Sequence, residues 1–189
     1  MTNIPNLLTT CRIIGSVFIP FILIIDSEEK GCLVVLIIFI LCSITDFFDG
    51  YIARKFNQTS EIGKMLDPIA DKLLVILILG FFTLVFNEKY GYLIGIPSIL
   101  IITREILVSG IREFFGSKDD IFDVLILSKY KTTFQMLSII FLLISTQDIL
   151  WNIYLYFFGI IFLWISAIIA ILTGVVYFKK SLIILKDKK

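Results

Sequence analysis

Four aspartates lie close together in the stretch DFFDGYIARKFNQTSEIGKMLDPIADK, which covers residues 46–72. The pattern is Asp46-x2-Asp49-Gly50-x2-Ala53-Arg54-x8-Gly63-x3-Asp67-x3-Asp71. On a helix, Asp46 and Asp49 share a face, and so do Asp67 and Asp71. Ala53 continues the first face with a small side chain. A short connection would make the two helices antiparallel neighbours and bring the carboxylates to one depth. Four carboxylates that close cannot all stay ionised without cations. Hard divalent ions with oxygen ligands suit them, Mg²⁺ first and Mn²⁺ second, and two ions are expected. Two such ions clamp the attacking and leaving oxygens around one phosphorus, so the chemistry indicated is phosphoryl transfer. A carboxylate not saturated by metal can serve as general base. Gly50 and Gly63 leave room for a substrate or a facing helix. Arg54 can pair with a phosphate or with one of the carboxylates. The bland alternative is an ion-pair network that only holds helices together. It would need balancing cations, and this stretch places only Arg54 and Lys72 near the aspartates.

The elements that must carry these residues are apolar. Of 189 residues, 58% are hydrophobic and 17% charged, against about 45–50% and about 25% in soluble domains. Such a composition would leave large apolar patches in water, so the expected solvent is lipid. Long apolar runs exclude a β-barrel. The fold expected is an all-α polytopic membrane protein, one domain over 1–189. Six transmembrane helices surround a polar chamber that faces the cytoplasm. The spans are placed at Leu7–Ile25, Gly31–Arg54, Leu66–Phe86, Tyr92–Phe115, Thr132–Thr146 and Trp151–Phe178. Pro68 sets the start of the third near Gly63–Asp67, because proline is tolerated in a first turn.

Charge orients the set. With both termini cytoplasmic, every Lys and Arg of the 17 except Lys30 and Lys89 lies on the cytoplasmic side, as the positive-inside rule requires. The net charge of +1 offers no field for nucleic acid. The absence of histidine removes imidazole acid–base chemistry and His-ligated metals. The three cysteines, Cys11, Cys32 and Cys42, form no metal or disulfide pattern and are expected as small packing residues. Trp151, Tyr154, Tyr156 and Tyr177 fit an interfacial aromatic belt. Four spans carry ionisable residues toward their cytoplasmic ends, which marks functional sites.

At the aspartate motif the chain resembles the CDP-alcohol phosphotransferases, whose signature D-x2-D-G-x2-A-R-x8-G-x3-D-x3-D it matches at all eight specified positions. The resemblance implies transfer of a phosphatidyl group from CDP-diacylglycerol to an alcohol, with release of CMP. It implies Asp46, Asp49 and Asp67 as metal ligands. Asp71 is the expected catalytic base and a further ligand. It places Asp49, Gly50, Ala53, Arg54 and Gly63 beside the cytidine nucleotide, and it favours a homodimer. The segment with Asn6, Thr9 and Arg12 is implied to close one wall of the nucleotide site. The competing reading is a helix cap at Asn6 and an interfacial arginine.

A narrower likeness concerns NIPNLLTTCRI, REILVSGIRE and SKYKTTFQM. They are similar to a bacterial branch of the family that uses glycerol 3-phosphate, which implies the bacterial cytoplasmic membrane. A phosphorylated acceptor wants fixed cations. Arg104 and Arg112, two turns apart, share a face, and Lys129 and Lys131 enter the fifth span from the cytoplasm. These four are the expected acceptor-phosphate residues. Alternatively Arg104 pairs with Glu105 or Glu113, and Lys129 serves only topology. Other acceptors remain open within the family: serine, inositol phosphate or phosphatidylglycerol. Outside it stand a cation transporter and a non-catalytic assembly subunit.

Overall fold

The computed structural model describes residues 4–56, 61–86, 91–115 and 126–187; within these, the side chains of 4, 5, 46–56, 61, 62, 64, 84, 126 and 187 lie outside the description. The described residues form six helices: α1 (Ile4–Ile25), α2 (Glu29–Phe56), α3 (Glu61–Val85), α4 (Gly91–Phe115), α5 (Ile126–Ser145) and α6 (Asn152–Asp187). The chain divides into two compact units.

The first unit holds residues up to 85 together with 143–152. In it α1 packs on both α2 and α3. Ile19 and Leu23 of α1, Val35 and Phe39 of α2, and Ile78, Leu79 and Phe82 of α3 are buried. The reversal between α1 and α2 is short because Asp26 Oδ1 accepts the Glu28 N–H at 2.9 Å, closing an Asx turn. Gln147 Nε2 donates to the Glu29 carbonyl at 2.8 Å, tying the segment after α5 to the start of α2.

The second unit holds 86–142 and 153–189, and so α4, most of α5, and α6. Trp164 Nε1 donates to the Leu93 carbonyl at 3.0 Å, which joins α6 to α4. The α5–α6 approach is close. Ser138 Oγ donates to the Gly159 carbonyl at 2.8 Å. A Cβ on Gly159 would meet Leu142 Cγ at 2.8 Å and its backbone nitrogen at 3.2 Å. Gly159→Ala is therefore expected to cost about 1–3 kcal/mol by overpacking, seen as a lower Tm of the purified protein in detergent. An unchanged Tm would show that the two helices separate freely.

An apolar core is accompanied by buried polar side chains and by many exposed large apolar ones. Thr9, Arg12, Ser16, Ser98, Lys131, Gln135, Ser138 and Ser166 are buried, while Phe18, Phe21 and Ile24 of α1 and Phe157, Ile161, Ile168 and Leu172 of α6 are exposed. An apolar coat of this extent suits an apolar solvent. Three described helices are long and apolar enough to cross a membrane: Asn6–Ile25, Gly91–Phe115 and Asn152–Lys186.

Several boundaries differ from the sequence reading. α3 begins at Glu61, so Pro68 lies inside the helix rather than at its start. The Lys64 carbonyl thereby loses its i+4 donor, which a helix can absorb where neighbouring groups replace it. α5 begins at Ile126, so Lys129 and Lys131 are helical. α6 continues to Asp187 over 36 residues, or about 54 Å, far beyond the ~30 Å of a hydrocarbon core. Cys11 is exposed and fills no core; Cys32 and Cys42 are buried.

Candidate active site

In the first unit the chemistry lies where α1 meets α3. Thr9 and Arg12 are three residues apart on α1 and share a face. Both are buried, at 1% and 2% exposure. Thr9 Oγ1 donates to Asp67 Oδ1 at 2.7 Å. Arg12 Nη1 donates to Asp71 Oδ1 at 2.9 Å and forms an ion pair with it. Asp67 and Asp71, four apart on α3, thus each have one oxygen held by a side chain of α1. Arg12 is in turn anchored, because Ser16 Oγ donates to its carbonyl at 2.8 Å. A buried guanidinium on a carboxylate is well matched in charge and shape.

These contacts overturn the competing reading of the first helix, a cap at Asn6 and an interfacial arginine. Arg12 is not an interfacial arginine but a buried partner of Asp71, a cation that the aspartate stretch by itself does not supply. Asn6 is not a cap: it lies inside α1, and its carbonyl accepts from Thr10 Oγ1 at 2.8 Å. Gly63 is buried on α3. Asp46, Asp49, Gly50, Ala53 and Arg54 belong to α2, and their side chains lie outside the described residues.

The chemistry of the described donors fits a hard divalent cation. Asp67 and Asp71 offer carboxylate oxygens alone, and the Asp71 side chain is 52% exposed. A carboxylate can accept from Thr or Arg at one oxygen and still meet a cation at the other. Among the described residues no three His, Cys, Asp or Glu gather into a metal site; the side chains of Asp46 and Asp49, the other expected ligands, lie outside the described residues.

In the second unit a cation cluster forms on α4, α5 and α6. Arg104 Nη1 donates to Glu105 Oε1 at 3.2 Å and Arg104 Nη2 to Thr173 Oγ1 at 3.1 Å. Lys131 Nζ pairs with the same Glu105 Oε1. Arg112 Nη2 donates to the Tyr177 hydroxyl at 2.6 Å, and its guanidinium carbon lies 5.0 Å from the centre of the Tyr177 ring. That of Arg104 lies 5.8 Å from the same ring. Arg104 and Arg112 thus do share a face. Ser166 Oγ donates to the Lys131 carbonyl at 3.1 Å, which fixes α6 against this turn of α5. Two cations, Arg104 and Lys131, share one carboxylate, Glu105, and Arg112 adds a third positive charge beside Tyr177, so these contacts leave a surplus of positive charge suited to an anion. Lys129 is exposed and takes no part in these contacts.

Tyr177 is 1% exposed and holds both arginines, so it does not belong to an interfacial belt. The sequence reading missed this role and that of Thr173. Their spacing held the signal: Thr173, Tyr177 and Lys180 recur at three to four residues along one face of α6.

Fold and site together describe a helical membrane protein with a carboxylate pair in its first unit and a cation cluster in its second. Residues 2–175 match the family described as CDP-alcohol phosphatidyltransferase, and the chain belongs to that family. A CDP-diacylglycerol–glycerol-3-phosphate 3-phosphatidyltransferase of Rickettsia typhi is 44% identical over 179 residues, 95% of this chain and 97% of that protein. Proteins of the same name from Cereibacter sphaeroides and Haemophilus influenzae are 34% identical over 220 residues and 36% identical over 181. The first covers 99% of both chains, the second 93% of this chain and 91% of the relative.

Proposed function

We propose that this chain transfers the phosphatidyl group of CDP-diacylglycerol to sn-glycerol 3-phosphate, giving phosphatidylglycerophosphate and CMP. It would then be a phosphatidylglycerophosphate synthase of the bacterial inner membrane. The observation that carries the reading is the likeness, over nearly the whole chain, to relatives of similar length named for this reaction. The eight-position motif and the surplus of positive charge at Arg104, Arg112 and Lys131 support it.

In this reading Asp46, Asp49, Asp67 and Asp71 hold Mg²⁺ or Mn²⁺, which neutralises the pyrophosphate of the lipid donor when bound. Thr9 and Arg12 orient Asp67 and Asp71. Gly50, Ala53, Arg54 and Gly63 border the nucleotide. Arg104, Arg112 and Lys131 hold the acceptor phosphate. Asp71 takes the proton of the glycerol 1-hydroxyl. That oxygen bonds to the phosphorus carrying diacylglycerol, and the bond from this phosphorus to CMP breaks. All six helices span the bilayer, with both termini and the reacting groups on the cytoplasmic side, and the protein works as a homodimer.

The test is CMP release by purified protein given CDP-diacylglycerol and Mg²⁺, with each acceptor offered separately. Release is expected with glycerol 3-phosphate and not with serine, inositol phosphate or phosphatidylglycerol. Turnover with one of those instead would overturn the acceptor, and turnover undiminished by a chelator would overturn the metal.

A further inference from the structure

Burying a polar atom with no partner costs about 1–3 kcal/mol, so such atoms mark places where something else binds. On α4 and α5 these atoms are Ser98 Oγ, Arg104 Nε, Ser128 Oγ and Gln135 Oε1. A serine hydroxyl rotates and can return to a carbonyl of its own helix at little cost. The planar groups of Arg104 and Gln135 cannot, which makes them the telling pair.

Gln135 is 2% exposed and lies one helical turn after Lys131 on the same face of α5. Side chains on a helix tilt toward its N-terminus. The Gln135 amide therefore leans back toward the turn that carries Lys131, and Lys131 reaches Glu105, the neighbour and partner of Arg104. The two unpartnered groups make opposite demands. Arg104 Nε–H donates and wants an acceptor, which a phosphate oxygen supplies. Gln135 Oε1 accepts and wants a donor, which a phosphate dianion lacks and a hydroxyl supplies. One molecule that carries both a phosphate and a hydroxyl answers both.

We infer that Gln135 is a specificity-determining residue that accepts a hydrogen bond from the central hydroxyl of the acceptor, while Arg104 holds its phosphate. This rests on the proposed acceptor and adds to it the group that reads the polyol. It also explains why an amide with an unanswered oxygen sits in an apolar bundle, where a methionine of similar volume would pack without loss.

The experiment compares wild type with Gln135→Met in lipid nanodiscs containing CDP-diacylglycerol and Mg²⁺. CMP release is measured with glycerol 3-phosphate and with 3-hydroxypropyl phosphate, which keeps the phosphate and the attacking hydroxyl but lacks the central one. Wild type is expected to prefer glycerol 3-phosphate by roughly 10–100-fold in kcat/KM. In Gln135→Met that preference should fall toward one, through loss on glycerol 3-phosphate, while Tm stays the same or rises. A preference retained by the variant, as a merely hydrated glutamine would give, overturns the assignment. So does a wild type indifferent to the missing hydroxyl. Gln135→Asn, which keeps a shortened amide, should retain part of the preference. If wild type releases no CMP with glycerol 3-phosphate at all, the proposed reaction fails first and the assignment falls with it.

Discussion

Asp71→Asn should lower turnover with glycerol 3-phosphate by roughly 10²–10⁴-fold, the usual worth of a positioned general base. The substitution is chosen for what it keeps. Asparagine has the same shape, and its Oδ1 can still accept from Arg12 Nη1, which lies 2.9 Å from the aspartate oxygen. The α1–α3 contact survives and the protein should fold. Asparagine cannot take up a proton, so the glycerol hydroxyl loses its base. CDP-diacylglycerol binding, followed by retention of labelled lipid on immobilised protein, should change little. Asp67→Asn separates the two roles of the carboxylates. Its loss should be partly restored by raising Mg²⁺, because a weakened ligand is answered by mass action. The loss in Asp71→Asn should persist at any Mg²⁺. Near-normal turnover in Asp71→Asn would remove the base; full rescue by Mg²⁺ would make Asp71 a ligand alone.

How much of this was legible depends on how far apart in sequence the cooperating residues are. The aspartate motif lies within one short stretch, so its spacing and helical periodicity could be read directly. The six helices follow from apolar runs, and the pairing of Arg104 with Glu105, left open as an alternative, is a contact between neighbours. The contacts that hold the carboxylates were not legible. Thr9 meets Asp67 and Arg12 meets Asp71 across more than fifty residues, and no local pattern says which helix faces which. Tyr177 was misread for a related reason. A tyrosine near the end of an apolar run looks the same in sequence whether it lies at a lipid interface or beneath two guanidiniums. Lys129 and Lys131 were grouped because the fifth helix was begun too late. With α5 starting at Ile126, two residues are about 200° apart around the axis, so both cannot face Glu105. The long-range pairs also change the logic of the motif: beside the local Arg54 and Lys72, the carboxylates gain a cation delivered by α1, Arg12.

Lys131→Met should raise the KM for glycerol 3-phosphate by roughly 10–100-fold, the worth of one hydrogen bond to a charged group. The KM for CDP-diacylglycerol should move little. Lys131 is 4% exposed and shares Glu105 Oε1 with Arg104. Methionine fills the stem volume but leaves Glu105 with Arg104 as its described partner. Breaking a buried charge pair costs about 3–5 kcal/mol, so the variant should also melt earlier. That stability loss alone would follow from a purely structural salt bridge and proves nothing about the acceptor. The discriminating readout is ligand linkage. A ligand that binds only the folded state raises Tm with its concentration, so glycerol 3-phosphate should stabilise wild type, and the shift should shrink in Lys131→Met. Glu105→Gln makes the opposite case. It removes the one carboxylate that these contacts set against the cations and keeps a hydrogen-bond acceptor in place, so the fold should weaken while affinity for the phosphate dianion holds or increases. A structural bridge predicts that both variants lose stability and that neither alters the ligand-induced shift. Opposite movements of that shift require the cations to meet the phosphate itself.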